Sequence, residues 1–144
     1  MVTRNPAARA WQAWALALLE LLVSYQAVDG GIGLITDTWQ LPQEWLVRTP
    51  FTDWVGPGWV LIALVGLPHL LAAVPTLLMP ARPRLGVLAG LLAGGSLVLW
   101  IAVQVALLQV FFFLQPVIVV IGLLEAGLAL WWRRRLSAAS VVAG

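Results

Sequence analysis

The hydropathy pattern divides the chain into three long apolar runs and one long polar segment. The apolar runs cover about residues 11–28, 59–79 and 85–132. The first two have close to the ~20 residues that a helix needs to cross the hydrocarbon core of a membrane. The third would form a helix about 72 Å long at ~1.5 Å per residue, more than twice the thickness of that core, so it must fold back once. We place this turn around Gln109 to Gln115, with Pro116 starting the last helix.

The pattern therefore predicts an all-α integral membrane four-helix bundle that forms a single membrane domain over residues 1–144. Its predicted spans lie at about 11–28, 59–79, 85–108 and 115–132, with an outer loop at 29–58. A basic start followed by an apolar run is also typical of a cleaved signal peptide. Because Glu20 interrupts this run and no small-x-small cleavage motif precedes Asp29, we interpret the run as a retained first span.

The polar segment 29–58 contains signals for a helix end and for a short helix. Gly30, Gly31 and Gly33 do not match the spacing of a phosphate-binding loop. We predict a turn there that ends the first helix, with glycine in the left-handed region. Pro42 to Val47 predicts one or two turns of helix. Four of the six acidic residues lie in this segment, and we interpret them as solvated loop residues rather than calcium ligands.

Composition supports the membrane assignment and excludes several functions. Hydrophobic residues make up 62% of the chain and charged residues 10%, and the mean hydropathy is +0.97, whereas soluble domains carry roughly 25% charged residues. The chain has no cysteine, which excludes disulfides and thiolate chemistry, and its one histidine argues against a zinc site made of protein ligands alone. No catalytic constellation is evident, so we expect no enzymatic activity, no metal and no cofactor.

The arginines orient the spans. Seven of the eight lie before the first span, in the turn at 80–84 and after the last span, and only Arg48 lies in the outer loop. The positive-inside rule then places both termini in the cytoplasm and the loop outside, in a multi-pass protein of the bacterial cytoplasmic (inner) membrane. Arginines at the edges of apolar runs indicate topology rather than a nucleic-acid partner. The expected anchors at the outer membrane interface are Trp39, Trp45, Trp54 and Trp59.

Glycines and prolines mark special positions within the spans. Gly86, Gly90 and Gly94 recur every four residues, which creates a smooth helix face for close packing in lipid. The partner of this face is either another span of the same chain, which we favour, or a second copy. Pro68 and Pro75 each remove a backbone hydrogen bond and should kink the second span.

Three ionisable residues lie within the predicted spans. Glu20 and His69 fall near the middle of the first and second spans, and Glu125 falls in the inner half of the fourth. An ionised side chain is costly at these depths, so we expect each to face the bundle interior, where all three can meet in neutral form or share a proton. One hypothesis is a proton-linked or cation-binding site. The other is that these groups, together with Gln104, form interhelical hydrogen bonds that fix the packing.

Several short motifs resemble those of small four-span bacterial membrane proteins that are loosely DoxX-like. The motifs are GGxGL, PxEWL and PGxxL at 30–34, 42–46 and 57–61, followed by an LQP step at 114–116. The resemblance covers most of the chain and implies the four-span fold with an outer loop, but it implies no particular activity. The cysteines of DoxX-type proteins with redox roles are absent here, which weakens a quinone or thiol oxidoreductase function.

Three functions remain open at this point. We expect a non-enzymatic accessory or assembly subunit, or a lipid-contacting scaffold, that acts through its helix faces and outer loop. The alternative is a small proton-coupled transporter that works as an oligomer with Glu20 as the coupling acid. The third is a quinone-binding or redox membrane protein that uses His69. The expected partners are membrane lipid and either a larger membrane complex or further copies of the chain, and no nucleic acid.

Overall fold

The structure, a computed structural model, describes residues 11–78 and 82–141, with side chains up to Ala138. This part of the chain is all-α and contains four helices that are long and apolar enough to cross a membrane. They are α1 (Trp11–Ile35), α2 (Val55–Leu78), α3 (Pro83–Leu108) and α4 (Leu114–Val141). The prediction of an all-α chain with four helices long and apolar enough to cross a membrane is confirmed for the described residues.

Each helix packs mainly against two neighbours. Helix α1 contacts α2 and α4, and α3 contacts the same two helices from the opposite side, so chain neighbours are also neighbours in space. Two clusters of buried apolar side chains fill the interior. The cluster towards the chain termini, here the inner layer, consists of Ala13, Leu16, Val87, Ala129 and Trp132. The other, here the outer layer, consists of Val23, Ala27, Val65 and Leu97.

Most other large apolar side chains lie on the outside of the bundle. Examples on three different helices are Leu18, Leu92 and Leu123, which are exposed by 68%, 64% and 58%. A helix that is apolar all round needs an apolar environment on its outer face as well as in the core, and lipid supplies one. This distribution fits helices that cross a membrane.

Helix α1 continues past its predicted end and runs through all three glycines. Among the described glycines none has positive φ, so the turn predicted at Gly30, Gly31 and Gly33 is wrong. These positions serve helix packing instead, because a Cβ atom on Gly31 would lie 2.8 Å from the carbonyl oxygen of Gly58. The chain turns later, at Asp37, whose φ is 54°. The connection between α1 and α2, for which we keep the name outer loop, therefore covers residues 36–54, and it is shorter than the predicted segment 29–58.

The loop between α1 and α2 contains the short helix predicted from Pro42 to Val47. It is a single 3₁₀ turn, Gln43–Leu46. The indole nitrogen of Trp54 donates to the carbonyl oxygen of Leu41 at 3.0 Å and ties this turn to the start of α2. The loop is thus held against the bundle by a buried aromatic side chain, since Trp54 is only 8% exposed.

Helix α2 is irregular in its middle. It is α-helical over Val55–Leu61 and Leu67–Leu78, with a π-helical turn at Ile62–Gly66 between these parts. The π turn ends two residues before Pro68, whose ring and missing N–H disrupt the regular hydrogen-bond ladder. The distortion predicted at Pro68 is therefore a local widening of the helix, and α2 continues through Pro75.

The turn between α3 and α4 lies where the fold-back was predicted. Helix α3 ends at Leu108, and Gln109 adopts a left-handed conformation with φ of 50° while its N–H donates to the carbonyl oxygen of Val105. The side chain of Gln115 accepts a hydrogen bond from Phe112 N at 3.0 Å and donates one to a second carbonyl in the turn at 3.2 Å. Gln115 therefore fixes the turn rather than linking two helices.

Candidate functional site

The glycine face of α3 brings α3 against α4 and α1 of the same chain. A Cβ atom on Gly86 would lie 2.8 Å from the Trp132 ring, and one on Gly90 would lie 2.6 Å from Leu16. Gly94 faces the backbone of α4, where a Cβ atom on Gly122 would lie 2.8 Å from the carbonyl oxygen of Gly94. This close approach sets the depth and orientation of the α4 residues that follow Gly122.

Three ionisable side chains meet in the centre of the bundle. Glu20 of α1, His69 of α2 and Glu125 of α4 are each 0% exposed. His69 Nε2 lies 3.3 Å from Glu125 Oε2, and the Glu20 carboxyl is close enough to Glu125 for the two charges to interact. We call these three residues the buried cluster. Gln104 does not belong to it, since it lines a cavity nearer the outer loop.

The backbone of α2 orients the His69 ring. His69 Nδ1 lies 2.8 Å from the carbonyl oxygen of Val65, and because a carbonyl can only accept, Nδ1 carries the hydrogen. Nε2 is then left to face Glu125, either as an acceptor for a protonated carboxyl or as the second donor of an imidazolium. The 3.3 Å contact between His69 and Glu125 lacks the alignment of a hydrogen bond.

Glu20 has no aligned hydrogen-bond partner among the described residues. Thr76 is a polar neighbour of Glu20, and its hydroxyl donates to the carbonyl oxygen of Ala72 at 3.1 Å. A neutral Glu20 avoids an unpaired charge inside the membrane, which would cost about 2.5 to 3.5 kcal/mol on insertion scales.

Apolar layers close the buried cluster in both directions along the bundle. Val23, Val65 and Ile121 are three or four residues from Glu20, His69 and Glu125 on the outer side. One helical turn of ~5.4 Å therefore separates the cluster from the outer layer. On the inner side, Leu16 and Ala129 are four residues from Glu20 and Glu125 and belong to the inner layer. Both layers keep water away from the ionisable groups.

A cavity of about 370 Å³, here the outer cavity, lies beyond the outer layer. All four helices and both outer turns contribute to its walls, which are mainly apolar and aromatic. Its floor includes Val23, Val65 and Leu97, the same residues that cover the buried cluster. The polar side chains that line it are Gln26, Asp29, Gln104 and Gln115, and the tryptophans are Trp39, Trp45, Trp54 and Trp100. Three of the four predicted interface anchors thus line a cavity, whereas Trp59 is 60% exposed on α2.

A second concave surface, here the inner cleft, lies between the start of α3 and the end of α4. Its volume is about 560 Å³. Arg84 and Arg133 line it together with Val87, Leu91 and other apolar side chains. The inner cleft combines two positive charges with an apolar wall.

Sequence reasoning identified the buried cluster but not the outer cavity. Hydropathy marks Glu20, His69 and Glu125 as unusual because each interrupts an apolar run. The lining of the outer cavity comes from residues that look ordinary in sequence, and several lie in the predicted loop. The one available signal is that Gln26, Gln104 and Gln115 all fall near the outer ends of the spans predicted at 11–28, 85–108 and 115–132.

Comparison with known proteins yields no matching family model, no matching curated protein and no matching solved structure. The DoxX-like resemblance therefore stays a prediction. Among the described residues, no group of three His, Cys, Asp or Glu side chains is arranged to hold a metal ion.

Proposed function

We propose that this chain is a small proton-coupled membrane transporter in which Glu20 is the coupling acid. The observation that carries the proposal is the buried cluster itself, three fully buried titratable side chains from three different helices. Ionisable groups are rare inside membrane spans and commonly mark proton relays or ion pathways. The π turn next to His69 supports the same interpretation, because such turns are frequent at functional sites.

The hydrogen bonding of Glu20 argues against a purely structural role for the cluster. A polar group that holds helices together should have a well-aligned partner on a neighbouring helix, as Ser24 of α1 has with the Gly66 carbonyl oxygen at 2.8 Å. Glu20 has no such partner in the described part of the chain. Its carboxyl is therefore not held by a hydrogen bond to a neighbouring helix and is free to exchange its proton when the bundle opens.

The two apolar layers suggest how access to Glu20 is controlled. The described conformation is closed on both sides of the buried cluster. Opening the outer layer connects the cluster to the outer cavity, and opening the inner layer connects it to the side of the termini. A transporter requires that only one layer opens at a time. An oligomer gives a four-helix chain neighbouring surfaces against which such rearrangements can occur.

The proposal includes the orientation and location of the chain. The distribution of arginines supports cytoplasmic termini and an outer cavity that faces away from the cytoplasm, in the inner membrane of a bacterium. The inner layer is then the gate towards the cytoplasm.

Infrared difference spectroscopy across a pH titration tests the proton-linked role. The wild-type protein in lipid nanodiscs should show a protonated carboxyl band that titrates, and Glu20→Gln should remove a component of that band with little change in thermal stability. Glu44→Gln is the matched control, because Glu44 is an exposed acid of the outer loop. A Glu20→Gln spectrum identical to that of the wild type would overturn the proposal. So would a wild-type protein without any titrating carboxyl in the spans.

A lipid-contacting scaffold is the second candidate function, and the inner cleft favours it. Two arginines above an apolar wall match the phosphate and acyl chains of an anionic phospholipid. Native mass spectrometry should show a retained anionic lipid that Arg84→Gln with Arg133→Gln removes. Arg134→Gln is the control, because Arg134 is exposed and does not line the cleft. If the double variant loses this lipid but keeps the titrating carboxyl band, the inner cleft and the buried cluster have separate roles.

A further inference from the structure

We infer that the outer cavity binds a lipophilic organic cation, a molecule with an apolar body and a single positive charge. The inference starts from the volume of about 370 Å³, which falls in the usual range for small-molecule sites. The walls are mostly apolar, so a hydrated inorganic ion would lose its water shell there without replacement ligands.

The charges around the outer cavity favour a cation over an anion. In the described part of the chain, Asp29 is the only charged side chain that lines it, and no arginine or histidine does so. Arg48, the one arginine of the outer loop, is outside the lining set. An anionic ligand would meet a carboxylate without a compensating positive charge, whereas a cationic ligand would be attracted to it.

Four tryptophans strengthen this preference. Trp39, Trp45, Trp54 and Trp100 line the cavity. The face of an indole ring attracts a positive charge, and aromatic walls of this kind are used by proteins that bind quaternary ammonium groups. The same rings offer apolar contact to the body of the ligand. An aromatic wall with one carboxylate is therefore suited to a large, weakly hydrated cation.

The polar lining residues divide into those that shape the cavity and those that remain available. Gln115 and the Trp54 indole nitrogen are used by backbone groups of the two outer turns, so they hold the walls in place. Gln26, Asp29 and Gln104 have no hydrogen-bond partner among the described residues. These three side chains are free to bind the polar end of a ligand.

The opening of the outer cavity suits a ligand that arrives from the membrane. Exposed lining residues occur on α1, where Leu22 is 51% exposed, and on α4, where Val117 is 48% exposed. Parts of the cavity wall on these two helices are therefore accessible from the side of the bundle. An amphipathic cation that partitions into the outer membrane interface can reach the cavity from there.

The inference goes beyond the proposed function, although the two are compatible. A cation in the outer cavity lies about one helical turn from Glu20, His69 and Glu125, across the outer layer. α3 adds no titratable side chain between Leu85 and Leu108, so the positive ligand interacts electrostatically with these three groups and with Asp29. By linkage, binding of the cation and binding of the proton then oppose each other.

The test compares two ions of nearly equal size and shape but opposite charge, tetraphenylphosphonium and tetraphenylborate. Binding to the full chain in zwitterionic nanodiscs is measured by equilibrium dialysis and corrected with empty nanodiscs. We expect the protein to bind the phosphonium ion about tenfold more tightly than the borate ion. Asp29→Asn should weaken phosphonium binding about fivefold, since a partly exposed charge contributes modestly.

The control variant is Glu44→Gln, which removes an outer acid that does not line the cavity and should leave both affinities unchanged. Equal affinities for the two ions, or tighter borate binding, would overturn the inference and define a cavity for neutral or anionic lipophilic molecules. Equal losses of phosphonium affinity in Asp29→Asn and Glu44→Gln would also overturn the inference, because the overall surface charge would then explain the effect.

The same assay separates this inference from the proposed function. Cation selectivity that depends on Asp29 but does not change with pH supports the binding site and counts against coupling to the buried cluster. A titrating Glu20 without cation selectivity supports the proton-linked role and rejects the ligand class.

Discussion

His69 Nε2 and Glu125 Oε2 lie 3.3 Å apart and join α2 to α4, two helices on opposite sides of the bundle. The contact is possible because glycine brings α3 and α4 together at Gly94 and Gly122, which positions Glu125 near the bundle axis. On the other side, the Val65 carbonyl fixes the imidazole ring. The contact between His69 and Glu125 therefore depends on the close backbone packing of α3 against α4.

This pair should show strong energetic coupling. His69→Leu or Glu125→Leu alone leaves one buried polar partner unpaired, and we expect each to destabilise the protein by about 3 kcal/mol. The double variant should be destabilised by clearly less than the sum, because neither unpaired group remains. Equilibrium unfolding in mixed detergent measures the four free energies of unfolding. Strict additivity would show that the two side chains do not interact.

Gly94 and Gly95 form a matched pair for testing the helix contact. A Cβ atom on Gly94 would overlap the Gly122 carbonyl oxygen, whereas one on Gly95 has no neighbour within 4 Å. We expect Gly94→Ala to destabilise by about 1 to 3 kcal/mol because α3 and α4 must separate. Gly95→Ala should be neutral or stabilise by up to about 1 kcal/mol, since alanine favours the helix. Thermal unfolding of both variants in the same detergent measures the difference in stability. Similar losses of stability for both would contradict the described packing.

At the left-handed residue between α3 and α4, we expect a substitution to glycine to stabilise the protein. Gln109 has φ of 50°, a conformation that costs most residues about 1 kcal/mol and glycine almost nothing. Gln109→Gly should therefore raise the free energy of unfolding by about 0.5 kcal/mol, whereas Gln109→Val should lower it by about 1 kcal/mol or more. Chemical denaturation detects the difference. Equal stability of the two variants would mean that this turn is not left-handed.

Hydropathy and charge were sufficient to predict the four helices and the position of the fold-back. Lipid leaves no alternative to internal hydrogen bonding, so a long apolar run must be helical. The same reasoning failed at Gly30, Gly31 and Gly33, where composition suggested a helix end. These glycines remain helical because the absence of side chains allows contact with α2 and with Trp39, and that benefit depends on a partner far away in sequence.

The sequence was sufficient to predict the depth of the three residues of the buried cluster, but not that they contact one another. Glu20, His69 and Glu125 had to face inward, since lipid excludes them. Whether they meet depends on the rotation of three helices about their axes, which packing at Gly94 and the π turn in α2 determine. The outer cavity was harder to predict, because Trp39 and Trp45 reach it only through the conformation of the loop.

The absence of cysteine allows a direct test of the orientation. Gln43→Cys introduces a single thiol on the exposed 3₁₀ turn of the outer loop, and Ala138→Cys introduces one on the exposed end of α4. If the arginines orient the chain, a membrane-impermeant maleimide should label the Gln43→Cys protein in intact cells and the Ala138→Cys protein only after the cells are opened. The unsubstituted chain is the blank, because it has no thiol. The reverse labelling pattern would place the outer cavity on the cytoplasmic side and would contradict the orientation predicted from the arginines.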